Sequence, residues 1–176
     1  MRMFTRITQA VSVAPQIAPE DVALAAAQGF RTIVNNRPDG ESLDQPPGAD
    51  IEAAAHAAGL AYVAIPIDHT GFNLDQVEAM VSALNHGPVL AFCRSGTRST
   101  LLWALAESAQ GGDPDSLTNM AAKAGYDVSP VRPLMDMLKA SIGRIKRTLR
   151  SISPSSSMIE VVGNCTAARP DRLLTS

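Results

Sequence analysis

Over the first 110 residues, short apolar runs alternate with longer Ala-rich amphipathic ones, and each run ends at readable punctuation. Pro19, Glu20 and Asp21 open a helix with proline and two acids in its positive first turn, and Gly29 closes it. Residues 30–35 read as a strand. Turn-forming residues over 36–40 and 46–48 predict a surface loop, after which an Ala-rich helix runs over 49–58 and stops at Gly59. The β-branched stretch 60–67 predicts the next strand. A loop over 68–73 and a helix over 74–85 follow, the helix turning Val77, Val81 and Leu84 inward before Gly87-Pro88 breaks it. Val89, Leu90, Ala91 and Phe92 are uniformly apolar, as expected of a strand covered on both faces in mid-sheet. Such alternation marks an α/β domain with a mostly parallel central sheet of about four to five strands flanked by helices. Beyond Gly111-Gly112, stretches 113–124 and 133–149 predict two more helices, a helical C-terminal cap over that core.

Length and charge narrow the picture. The 176 residues, 45% hydrophobic, suit one domain, expected over 1–150 with its α/β core at 3–110 and its cap at 113–150. Residues 151–176 are rich in Ser, Pro and small residues without a period and predict a flexible tail. A formal charge of −2 and 18% charged residues argue against nucleic-acid binding through a broad basic surface, and 4% aromatics against a base-stacking platform. No run approaches the roughly 18 apolar residues of a membrane span, and the expected location is the cytoplasm. Charge is nonetheless uneven: residues 1–115 carry six Lys/Arg against 13 Asp/Glu, residues 116–176 nine against four. Much of the positive charge lies in the amphipathic stretch 139–150, which reads as the solvated face of a docked helix.

The chemistry concentrates at residues 93–99, Cys-Arg-Ser-Gly-Thr-Arg-Ser, between the buried strand and a helix. A loop in that position turns its backbone N–H groups toward one point, and the following helix aims its positive end at the same point, so the site favours an anion. The same field, with guanidinium charge, stabilises a Cys93 thiolate and makes it a nucleophile. Gly96 gives the loop its backbone freedom. Arg98 can hold two oxygens of an oxyanion in parallel, as lysine cannot. Ser99, near the helix N-cap, can accept from a backbone N–H or donate to the Cys93 sulfur, and Arg94, Ser95 and Thr97 complete the substrate-binding loop. Arg37, in an Arg-Pro-Asp-Gly turn after another strand, is placed to rim the same pocket, with Asn35, Asn36 and Asp39 around it. Asp68 ends a predicted strand, at the sheet edge where α/β domains gather ligands, and is the candidate general acid, with His69 beside it. His56 and His86 lack partners at metal-ligand spacing, so neither a metal nor an organic cofactor is expected, and Cys165 reads as an incidental thiol.

The loop resembles the active-site loop of rhodaneses, in which Cys-Arg-x-Gly-x-Arg is common, through Cys93, Arg94, Gly96 and Arg98. The strands around it, 29–35, 61–68 and 88–93, resemble those of dual-specificity cysteine phosphatases. Taken whole, residues 3–110 are similar to the phosphatase-like domain of beta-lactamase-hydrolase-like proteins, a bacterial family. That resemblance implies a three-layer cysteine-phosphatase-like fold. In the phosphatases five residues separate cysteine from arginine and a histidine commonly precedes the cysteine; here four residues intervene, and Phe92 holds the histidine position.

A shorter loop makes a narrower cup, better suited to a persulfide sulfur than to a phosphoryl group in a five-coordinate transition state. The leading expectation is therefore a sulfurtransferase working through a Cys93 persulfide on small sulfur-containing anions. The alternative is a phosphatase with a phosphocysteine on Cys93 and Asp68 as general acid, and a third reading is a non-catalytic anion or persulfide sensor.

Overall fold

A computed structural model describes residues 4–152 of the chain. Five strands form one sheet in the order β1-β2-β5-β3-β4: β1 Thr5–Arg6, β2 Val11–Ala14, β3 Thr32–Asn35, β4 Ala61–Ala64 and β5 Val89–Phe92. Only β1 runs antiparallel; β2, β5, β3 and β4 are parallel neighbours. The central strand β5 is buried along its whole length, as its unbroken apolar run requires.

Side chains alternate across β5, and this divides the core in two. Val89 and Ala91 face a layer holding α3 Leu74–Leu84, α4 Thr97–Ala109 and α5 Pro114–Lys123, where Trp103, Leu102 and Met80 are buried. Leu90 and Phe92 face the opposite layer, α1 Pro19–Ala27 and α2 Gly48–Ala57, with Ile17, Ile33 and Ile51. The result is the expected three-layer arrangement. Phe92, in the position of the phosphatases' histidine, is thus a core residue of the α1–α2 side and takes no part in the loop that follows it.

Strands β1 and β2 go unread in the sequence, and β3 and β4 are shorter than the stretches 30–35 and 60–67. Strand β2 escapes an apolar-run reading because Ser12 interrupts it, yet all four of its residues are buried between β1 and β5. Strand β4 is shorter than 60–67 because it lies at the sheet edge and Pro66 has no N–H to donate. The backbone beyond it stays tied down, Ile65 N–H donating to Asn35 O at 2.8 Å and Ile67 N–H to Asn36 O at 3.1 Å.

Past α5, a 3-10 turn at Ser129–Val131 leads into α6, Arg132–Ile152. Leu117, Ala121, Val131 and Met135 pack these elements onto the α3–α4 layer, and Lys139 ties α6 to Asp113 at 2.6 Å. Helix α6 runs through Ser151 and Ile152, two residues into the stretch expected as tail; the remainder of that stretch, and Cys165, lie outside the described residues.

Candidate active site

Cys93 leaves the carboxyl end of β5 at the middle of the sheet, flanked by the ends of β2 and β3. Its own N–H donates to Ala14 O at 3.4 Å, which pins the nucleophile candidate to the neighbouring strand. Gly96 adopts φ +89°, a left-handed conformation open to glycine, and this turn lets its N–H point back at the Cys93 sulfur, 3.1 Å away. Helix α4 starts at the next residue. Cys93 therefore sits before the positive end of a 13-residue helix, the anion-favouring geometry read from sequence.

The helix begins at Thr97, earlier than the sequence suggested, with Gly96 as N-cap; Ser99 is the third helical residue rather than a cap. Its hydroxyl is buried beneath the loop and has no hydrogen-bond partner among the described residues. Ser95 and Thr97 face outward and bond to each other through their hydroxyls at 3.0 Å. Arg94 is exposed on the loop's flank.

Arg98 turns toward the ends of β3 and β4. Its Nη1 donates to Ile67 O at 2.6 Å, and the guanidinium meets Glu41 in a two-pronged ion pair of 2.8 and 2.9 Å. Partial burial works against its charge, but Glu41 and then the Cys93 sulfur outweigh this and hold Arg98 more firmly protonated than a free arginine. Arg37 is buried nearby, its guanidinium shared among Glu41 at 2.7 Å, Gln16 at 2.9 Å and Ser42 at 2.7 Å. The Arg37 turn is thus bound into the site through Glu41. Asn36 underlies it, fixed by Phe92 O at 2.8 Å and by its own amide to Ile65 O at 3.0 Å, while Asp39 caps α2 through Gly48 N–H at 2.9 Å.

Asp68 follows Ile67, so it shares a backbone turn with the carbonyl that Arg98 grips. Its carboxylate is exposed and accepts from the Thr70 hydroxyl at 2.6 Å and the Thr70 N–H at 2.8 Å, and these bonds lower its pKa below the ordinary aspartate value. His69 is exposed beside it. No group of three or more His, Cys, Asp or Glu with metal-binding geometry occurs among the described residues.

Sequence reasoning missed Glu41 and Tyr126. Glu41 lies in a polar loop with no periodic signal; only its position four residues after Arg37 hints at a pair. Tyr126 follows α5, and its ring packs against Gly96 so closely that a methyl group there would overlap it. Burial first, and the Cys93 sulfur as well, push the Tyr126 hydroxyl above its usual value.

The phosphatase-like domain of beta-lactamase hydrolase-like proteins matches residues 3–110, more than half of the chain. The chain belongs to that family. A beta-lactamase hydrolase-like protein of Agrobacterium fabrum is 31% identical over 144 residues, 80% of this chain and 33% of that protein. A Xylella fastidiosa relative of the same description is 36% identical over 125 residues, 69% of this chain and 29% of its own length. The chain thus spans about a third of the length of these curated relatives.

Solved structures agree on the architecture of this phosphatase-like domain. A candidate phosphatase of Neisseria meningitidis superposes with a TM-score of 0.66 at 30% identity, covering 77% of this chain and 97% of its own. The core of the PP-IP phosphatase SIW14 of S. cerevisiae, at 11% identity and a TM-score of 0.59, covers 85% and 94% and shares the fold. PTPMT1, at 16% and 0.60 with 81% and 99% covered, shares it too.

Proposed function

We propose that this domain is a cysteine-dependent phosphatase acting on phosphate monoesters. The Cys93 thiolate attacks phosphorus and the ester oxygen leaves, giving a phosphocysteine; water then attacks phosphorus, releasing inorganic phosphate and restoring the thiolate. The loop N–H groups and Arg98 hold the phosphoryl oxygens, the Gly96 N–H steadies the sulfur as it leaves phosphorus, and Asp68 protonates the departing alkoxide and then takes a proton from water. Arg94, Ser95 and Thr97 line the approach. The observation that carries this reading is the Gly96 N–H held 3.1 Å from the Cys93 sulfur before the α4 N-terminus, in a chain of a phosphatase-like family.

That family membership reverses the order favoured from the loop alone. Sulfur transfer keeps one specific support: four residues, not five, separate Cys93 from Arg98. In that chemistry the thiolate takes the outer sulfur of thiosulfate, sulfite leaves, and the resulting persulfide passes its terminal sulfur to a thiophile such as cyanide. Assaying one aliquot with an aryl phosphate and another with thiosulfate plus cyanide separates the two. Phosphate release that depends on Cys93 supports the phosphatase; thiocyanate formation without phosphate release contradicts it.

A further inference from the structure

A cavity of about 360 Å³ opens beside the Cys93 loop, on the side facing the segment that leads into α1. Gln16 and Ala18 form one wall, Arg37, Ser42 and Asp44 the other, and Arg94 stands at its margin. Its size lies within the range of small-molecule sites, roughly 300–1,000 Å³. The two arginines differ in a telling way. Arg37 is buried and held by Glu41, Gln16 and Ser42, its charge met by the Glu41 carboxylate. The Arg94 side chain is exposed and makes no hydrogen bond or ion pair among the described residues, although Asp44 feels its charge.

Arg94 is also the residue directly after the nucleophile, and its carbonyl accepts from Gln16 N–H at 3.5 Å, which fixes the cavity wall relative to Cys93. Glu41 balances Arg37 from outside the cavity, so the charge left to meet a ligand at the rim is that of Arg94, with Asp44 opposite it. An uncommitted guanidinium is matched to a phosphate, with which it forms paired N–H···O bonds.

We propose that this cavity is a second anion subsite, so that the preferred substrates are small phosphate monoesters carrying another phosphate group. The inference rests on the phosphatase reading for the chemistry at Cys93. Arg94 binds the second phosphate; Asp44, on the same rim, repels it and limits the affinity.

Calorimetric titration with propane-1,3-diylbisphosphonate and with propylphosphonate, neither of which can be hydrolysed, tests the subsite without relying on turnover. The protein should bind the bisphosphonate about tenfold more tightly than the monophosphonate, as one additional charge-assisted contact provides. Arg94→Ala should remove most of that advantage, and Asp44→Asn, at an exposed loop position, should enlarge it. Equal affinity for the two probes, or an equal loss on both in Arg94→Ala, overturns the subsite and leaves the chemistry at Cys93 untouched. Failure to bind either probe contradicts the phosphate-binding reading itself, and the subsite with it.

Discussion

Glu41 grips the Arg98 guanidinium with both carboxylate oxygens, and one of those oxygens also accepts from Arg37 Nε at 2.7 Å. A loop between β3 and α2 thereby sets the direction of an arginine in the first turn of α4. With Ile67 O as its other partner, Arg98 is held between two segments that follow separate parallel strands.

Glu41→Gln should lower kcat/KM for phosphate esters about tenfold to a hundredfold, since a hydrogen bond to a charged group contributes about 1.5–3 kcal/mol and Arg98 would keep only Ile67 O as a firm anchor. Steady-state kinetics on an aryl phosphate check this. A lower KM with unchanged kcat would instead mean that Glu41 merely competes with substrate for Arg98.

The Arg98 hydrogen bond is the largest influence on Glu41, with burial opposing it, and the net effect holds the carboxyl below its reference value of 4.5. A carboxyl depressed on folding contributes stability above its unfolded value and loses it as pH falls through the folded one. The gap in urea stability between the native protein and Glu41→Gln should therefore be full above pH 4.5 and close at more acid pH. A gap unchanged down to pH 3 would show that the ion pair does not contribute.

Gly96→Ala should impair both stability and turnover. A non-glycine residue at φ +89° costs about 1–2 kcal/mol, and the new methyl group also meets the Tyr126 ring. Adding Tyr126→Ala should relieve the overlap and leave the backbone strain, so the double variant should recover only part of the lost activity. Full recovery would show that the left-handed turn is dispensable.

Much of this was legible in the sequence, for physical reasons that also explain the omissions. The uniformly apolar run Val89–Phe92 announces a central strand, and Cys93 followed by Gly96 announces the tight turn that carries the chain from it into α4. Ser12 hides β2, since a buried polar residue breaks the apolar run. Glu41 and Tyr126 reach the loop only through tertiary folding, across 57 residues to Arg98 in one case and 31 to Ser95 in the other. The Tyr126 contact exists because α5 returns the chain to α4, and no local periodicity encodes that.

Asp68 supplies a pH test. Its carboxyl is held below the ordinary value by the Thr70 hydroxyl first and the Thr70 N–H second. Thr70→Val should raise the Asp68 pKa and move the alkaline limb of kcat for an alkyl phosphate to higher pH. Asp68→Asn should slow alkyl phosphates about a hundredfold, the low end of general acid catalysis, and spare esters with good leaving groups. Equal losses on both kinds of ester would remove Asp68 from the role.

The most direct measurement is the intact mass of the protein quenched in acid within milliseconds of mixing with an aryl phosphate. The gain of one phosphoryl group, mapped to Cys93 and absent in a folded Cys93→Ser variant, is the predicted result. Ester hydrolysis proceeding undiminished in Cys93→Ser, with no phosphorylated species trapped in the native protein, would contradict the account.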